Sequence, residues 1–375
     1  MSKFSKKIGI KLKTALLRRG AAWERDNVGL QVGSKAERLK NILLCLELNE
    51  EVLKEAIHKK CNFIFTHHPF IFNPLKRLDT EKNLQAQLIE KLLKNNITVY
   101  SAHTNLDFAK DGVSFELANS LKLKNIIFLE NQESNQLKVV VFVPLDKAED
   151  IASAMFSAGA GKIGEYDSCS FRLSGEGTFR GSGKSDPTVG KKEQFETVSE
   201  VRLEVLVDSW NLNKVLKAML KVHPYEEPAY DVYSLKNKNV NYGAGAIGEL
   251  DSEMIEKDFL LHVSKSLKIK NFKYCSGKNK KINKVAVCGG SGADMLGIAI
   301  SRGANAFITA DVKYHAYHEA KGNILFIDAG HYETEILSLS AVASKIKTFL
   351  DRKLESQIKV FKYSGTTNPV KFYKQ

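Results

Sequence analysis

The chain has no Cys-x-x-Cys pair, and its five cysteines, Cys45, Cys61, Cys169, Cys275 and Cys288, are odd in number and far apart. That excludes a disulfide framework and a cysteine-based zinc site, and it points to a reducing, cytoplasmic compartment. Neither a signal peptide nor a membrane anchor is expected at the start of the sequence. The basic, weakly amphipathic stretch 1–20 has neither a continuous apolar core nor a small-residue cleavage site. The stretch Gly289-Gly290-Ser291-Gly292 is not a dinucleotide fingerprint, and it also lacks the lysine of a P-loop. It reads as a strand-to-helix turn after Val285–Cys288, with an anion at the amides of a helix over 293–302 as the weaker alternative. Aromatic residues are scarce where the charge is densest. Lys plus Arg number 56 against 43 acidic residues, a net +13 that permits attraction to nucleic acid or phosphorylated small molecules. Yet Lys265–Lys284 offers only Phe272 and Tyr274 for stacking, so a solvated face is preferred there over a nucleic-acid groove.

At 375 residues and 43% hydrophobic content the chain has room for two or three globular domains. Apolar spacing predicts a first helix over Ile8–Arg19. After it, Asp26-Asn27-Val28-Gly29-Leu30 suits a turn with close backbone approach. Strand–helix alternation then sets in: Asn41–Leu46, Glu50–Lys59, Phe63–Thr66, 83–94, Ile97–Ala102 and 112–121 read as a βα series. From 135 to 242 the texture changes. Two strand–helix–strand passages, with a Gly/Ser-rich stretch over 175–190 between them, predict an inserted ferredoxin-like α+β domain. From Val285 the βα alternation resumes.

Chemistry gathers at the ends of the predicted strands. His67 and His68 close the apolar run Phe63–Thr66 and precede Pro69, which favours an extended His68 and diverging rings. Imidazoles at a strand's carboxyl end can face the crevice where α/β sheets bind ligands. Asp107 follows the strand Ile97–Ala102 through His103-Thr104-Asn105-Leu106, and reads either as a metal ligand or as a turn former. His331 and Glu335, after the strand 323–328, are spaced so that a helix beginning near Tyr332 lets both reach one point; a capping box is the alternative.

These three motifs, with Asp26–Leu30 and Asp311-Val312-Lys313-Tyr314-His315, occur in an order that resembles the GTP cyclohydrolase type-2-like family, also called the Nif-three-like family of dinuclear metal proteins. The resemblance implies an α/β fold: two similar three-layer α/β halves, 1–134 and 243–375, form the core, and 135–242 is a PII-like insert. It implies that His67, His68, Asp107, His331 and Glu335 hold two divalent metal ions, with Glu335 bridging. Zn, Fe(II), Mn and Co all accept such a donor set. A toroidal homohexamer and a nucleotide substrate are further expectations. His103 and His315 are the candidates for proton transfer, or else supports for a ligand. The expected activity is metal-dependent hydrolysis, either opening of the GTP ring or phosphoester cleavage. The alternative is a non-enzymatic metal-binding or nucleic-acid-associated regulatory protein. Two positions depart from the family pattern: Arg25 stands where Trp is usual, and Glu47 where Asp is usual.

Overall fold

The computed structural model describes residues 22–373 except Glu24, 35–37, 133–134, Glu165 and Leu354. The helix expected over Ile8–Arg19 lies outside the described residues. Two compact units emerge, one made of 1–130 with 242–375 and the other of 131–241.

In the first unit, the chain begins with β1 (Gly29–Val32), β2 (Ile42–Cys45), α1 (Glu50–His58), β3 (Phe63–Thr66), α2 (Leu84–Lys94) and β4 (Thr98–Ser101). The sequences of β2 and β3 are too apolar to leave a solvated face, and all twelve residues of β2, β3 and β4 are buried. Accordingly these strands pair in parallel, Ile42 opposite Phe63 and Phe63 opposite Thr98, as strands covered on both faces do. Asparagines start both crossover helices: Asn49 accepts from the Val52 amide at 2.9 Å and Asn83 from that of Ala86 at 3.0 Å. After β4 come the one-turn helix α3 (Thr104–Asp107), α4 (Val113–Ser120) and β5 (Lys124–Asn131).

The second unit runs β6 (Gln136–Pro144), α5 (Ala148–Ala158), β7 (Ser170–Arg180), β8 (Phe195–Asp208), α6 (Leu212–Val222), β9 (Tyr230–Ser234). Its four strands lie in the order β7-β8-β6-β9, every neighbouring pair antiparallel. Alternation decides its core. Val139, Val141 and Val143 of β6 and Val201, Leu203, Val205 and Val207 of β8 turn to one face, where they meet Ile151 and Met155 of α5 and Val215 and Met219 of α6.

Back in the first unit follow β10 (Gly243–Ile255), α7 (Glu256–Leu267), β11 (Lys273–Cys275), β12 (Lys281–Ser291), α8 (Leu296–Ser301), β13 (Ala306–Ala310), α9 (Tyr314–Ala320), β14 (Leu325–Asp328), α10 (His331–Glu335), α11 (Ser338–Arg352) and β15 (Val360–Lys362). Three parallel strands again form the centre, in the order β14-β13-β12. The Gly289–Gly292 stretch differs from the expected tight turn, because β12 continues through Ser291. There the Thr309 hydroxyl accepts from the Gly292 amide and donates to the Gly290 carbonyl, both at 3.0 Å. The helix expected over 293–302 is shorter, a 3-10 turn followed by the six residues of α8, too short to present an anion site.

The two sheets of this unit exchange edge strands. One has the order β1-β4-β3-β2-β15 and the other β11-β14-β13-β12-β10-β5, so β15 from the C-terminal end completes the early sheet and β5 completes the late one. Helix α11, just before β15, packs on the same sheet: Leu339, Val342, Ile346 and Leu350 meet Ile42, Leu44, Phe63 and Phe65. A division of the core at 134 and 243 therefore separates the sequence but not the sheets. All five cysteines are free. No helix among the described residues is long and apolar enough to cross a membrane.

Because β15 pairs in parallel with all but the last residue of β2, a chain ending at 356 should expose that edge. The amides of Ile42 and Leu44, which face β15, are expected to exchange hydrogen far faster than in the full chain. Unchanged protection there would contradict the exchanged-strand account.

Candidate metal centre

Three strand ends deliver the side chains. Beyond Thr66 the chain bends, and the amides of His67 and His68 bond to the carbonyls of Cys45 (3.2 Å) and Leu46 (3.0 Å). Beyond β4, His103 is the residue before α3, and Asp107 is that helix's last residue. Beyond β14, Gly330 takes φ +92°, which a side chain would strain, and α10 opens directly on His331 rather than one residue later. One turn on sits Glu335, buried at 3% exposure, with its Oε1 3.0 Å from His331 Nε2.

The structure brings all five expected ligand residues together. His67 Nε2 lies 3.5 Å from Asp107 Oδ1 and 3.6 Å from Glu335 Oε1. His68 Nε2 lies 3.2 Å from Glu335 Oε2 and 3.3 Å from His331 Nε2. The His67 and His68 rings do not diverge as an extended backbone would require. The bend tilts them by 50° with centroids 4.9 Å apart, and they face different oxygens of the same carboxylate. His67, His68 and Glu335 by themselves meet the spacing of a metal-holding group.

What holds the imidazoles escaped the sequence. Each uses Nδ1 for an oxygen outside the cluster: His67 for the Ala102 carbonyl at 2.8 Å, His68 for Glu47 at 2.9 Å and His331 for Asp311 at 2.6 Å. In the neutral tautomer that donates Nδ1–H outward, the form a metal ligand takes, each Nε2 would turn a lone pair toward the centre. Glu47, a departure from the family pattern, thus still reaches His68, and Asp311 is the residue of its motif that touches the cluster. His103 stands close by, its ring centroid 5.4 Å from that of His67 and 5.5 Å from that of His68, with Nδ1 3.1 Å from Asp26. Asp26 also accepts from the amide and hydroxyl of Thr104. His315 is not drawn in; it is exposed on α9 beside Tyr314, and among the described residues no hydrogen bond or ion pair joins it to the cluster.

A fit to metal can be tested on the donors themselves. His67 Nε2, Asp107 Oδ1 and Glu335 Oε2 are buried without hydrogen-bond partners, an arrangement a bound cation would satisfy. Steric room is provided too. Gly290, at φ +66°, lies so near that a methyl group there would run into Glu335 Oε1 and come within 3.3 Å of His331 Nε2.

Electrostatics bind the cluster tightly without metal. Burial opposes a charge on Glu335, but His67, His331 and His68 hold it well below its usual 4.5. Burial alone would lower His68, yet Glu335 and Glu47 lift it to about 10; the hydrogen bond to Glu335, helped by Asp311, outweighs burial and lifts His331 to about 9. Burial also pushes Asp107 up to about 6, against the pull of His67. Both histidines have folded values above the unfolded 6.5, so their stabilisation is fully present below 6.5 and is lost as pH rises through 9 and 10. Chelator-stripped protein should therefore melt at progressively lower temperature between pH 6.5 and 10, and Glu335→Gln should flatten that slope. Equal slopes in the two proteins would rule out Glu335 as the charge behind it.

The sequence model of Duf34/NIF3 (NGG1p interacting factor 3) matches residues 10–369. A Listeria monocytogenes protein described as a GTP cyclohydrolase 1 type 2 homolog is 36% identical over 347 residues, covering 92% of this chain and 90% of its own. A Bacillus subtilis protein of the same description is 36% identical over 353 residues, 94% of each chain. Among solved structures, a Bacillus cereus protein related to NIF3 superposes with a TM-score of 0.84 at 37% identity, covering 100% of both chains. With the match spanning nearly the whole sequence, the chain belongs to the Duf34/NIF3 family.

Proposed function

We propose that the chain is a metal-dependent hydrolase acting on a nucleotide, with two divalent ions held by His67, His68, Asp107, His331 and Glu335. One observation carries the reading: three Nε2 atoms converge on Glu335 while every matching Nδ1 is tied to an oxygen outside. Glu335 turns Oε1 toward His67 and His331 and Oε2 toward His68, the disposition of a bridging carboxylate. Neutral imidazoles and two carboxylates compensate only half of the charge on two divalent ions, which leaves the centre attractive to an anionic substrate. Zn, Fe(II), Mn and Co fit the nitrogen and oxygen donors equally. Such a pair, when bound, supplies a nucleophilic water at neutral pH and stabilises negative charge on the group under attack.

The chain's own residues complete the chemistry. His103, fixed through Nδ1 by Asp26, keeps Nε2 for proton transfer and is a better placed carrier than the exposed His315. Burial opposes the charge on Asp26, but the bonds from His103 and Thr104 hold its carboxyl below the usual value, so it stays ionised as the orienting group. The relatives' description as GTP cyclohydrolase homologues favours a purine nucleotide and opening of its ring, with phosphoester cleavage as the other reaction the donors support. The βαββαβ unit at 131–241 is, on this reading, a ferredoxin-like, PII-like accessory.

Metal-loaded protein incubated with GTP, other nucleotides and phosphodiesters is expected to consume a nucleotide. His103→Gln should reduce turnover by about 10²–10⁴-fold with metal content unchanged. A loaded enzyme that leaves every nucleotide intact, or a His103→Gln variant at full rate, would refute the proposal. Gly243 packs against the Glu130 carbonyl, so a short linker should close the first unit after removal of 131–241. That shortened chain should keep its metal; a folded but metal-free product would show the unit to be no accessory.

A further inference from the structure

The C-terminal segment 363–370 touches both walls of the metal centre, and nothing in the ligand set accounts for it. Tyr363 continues the β15 ladder, its amide donating to the Leu44 carbonyl at 2.8 Å, and Ser364 donates through its hydroxyl to Glu55 of α1 at 2.6 Å. Farther on, two adjacent side chains reach in different directions. The Thr367 hydroxyl donates to Glu47 Oε2, while Oε1 of the same carboxylate receives Nδ1–H of His68. Asn368 donates its amide to Glu333 at 2.8 Å, and Glu333 lies in α10 between His331 and Glu335. Beneath the segment lies a cavity of about 150 Å³ bordered by Cys45, Tyr332, Tyr363 and Thr367. Packing is therefore incomplete there, and polar bonds do much of the holding.

We propose that Thr367 and Asn368 form a clasp that positions the metal centre, Thr367 by fixing the carboxylate that orients His68 and Asn368 by fixing α10. This rests on the metal reading given above. A free Glu47 could rotate away from His68, whose ring would then lose the bond that aims Nε2 at Glu335. The neighbouring Asn368 keeps the early-sheet histidines in register with the late helix, joining the two walls through consecutive residues. Among the described residues Thr367 and Asn368 bond to Glu47 and Glu333 rather than to a proposed ligand, so both are positioning residues.

The test uses the full chain, stripped and then titrated with Co(II) against a competing chelator, with the visible spectrum recorded. Thr367→Val should bind about tenfold more weakly and show an altered spectrum, and Thr367→Ser, which keeps the hydroxyl, should restore both. Ser364→Ala, which loosens the segment only at Glu55, should bind as the unaltered chain does. Wild-type affinity and spectrum in Thr367→Val would overturn the clasp while leaving the metal reading intact, as would equal weakening by Ser364→Ala. Failure of the unaltered chain to take up Co(II) would sink both.

Discussion

A carboxylate buried to 3% exposure, Glu335, must be compensated wherever it sits, and the core of the first unit is arranged to do so. His331 comes from the same short helix, one turn earlier. His67 and His68 come from the end of β3, in the early sheet. Because the compensating groups lie on both sheets, the relative placement of the sheets is fixed by charge as well as by packing. The strand exchange serves the same end: β15 and α11 tie the chain after Glu335 back to the sheet that carries His67 and His68.

The absence of bulk matters as much as the donors. Gly290 gives up a side chain beside Glu335 and His331, and the two hydrogen bonds of the Thr309 hydroxyl, from the Gly292 amide and to the Gly290 carbonyl, hold that backbone in place. Outside the cluster, Ala102, Glu47 and Asp311 each take one Nδ1. Two of these acceptors are carboxylates, which make their imidazoles stronger donors to a cation. His103 repeats the pattern with Asp26 but makes no ion pair with Glu335, which leaves its free nitrogen for chemistry.

The ligand set was legible through the family resemblance, whose motifs are local; each motif alone also fitted a turn or a cap. Each member lies at or within one short turn or helix of a strand's carboxyl end, and strands such as Ile42–Cys45 and Phe63–Thr66 announce themselves by nearly unbroken apolar runs. The orienting residues left no such trace. Asp26 is 77 positions from His103, Glu47 is 21 from His68, and Thr367 is 320 from Glu47, so only the folded chain joins them. For the same reason β15 was invisible: three residues, Val360–Lys362, carry no periodicity, and pairing with β2 is what makes them a strand. The expected divergence of His67 and His68 misjudged the backbone, since Pro69 restricts a neighbour but cannot prevent the bend that ends β3.

Metal stoichiometry tests the central claim most directly. After loading with Mn(II) or Zn(II) and gel filtration, elemental analysis should find about two ions per chain, and far fewer in Glu335→Gln, because the amide cannot balance both cations. A chain that retains no metal, or a Glu335→Gln variant that retains as much as the unaltered protein, would contradict the account.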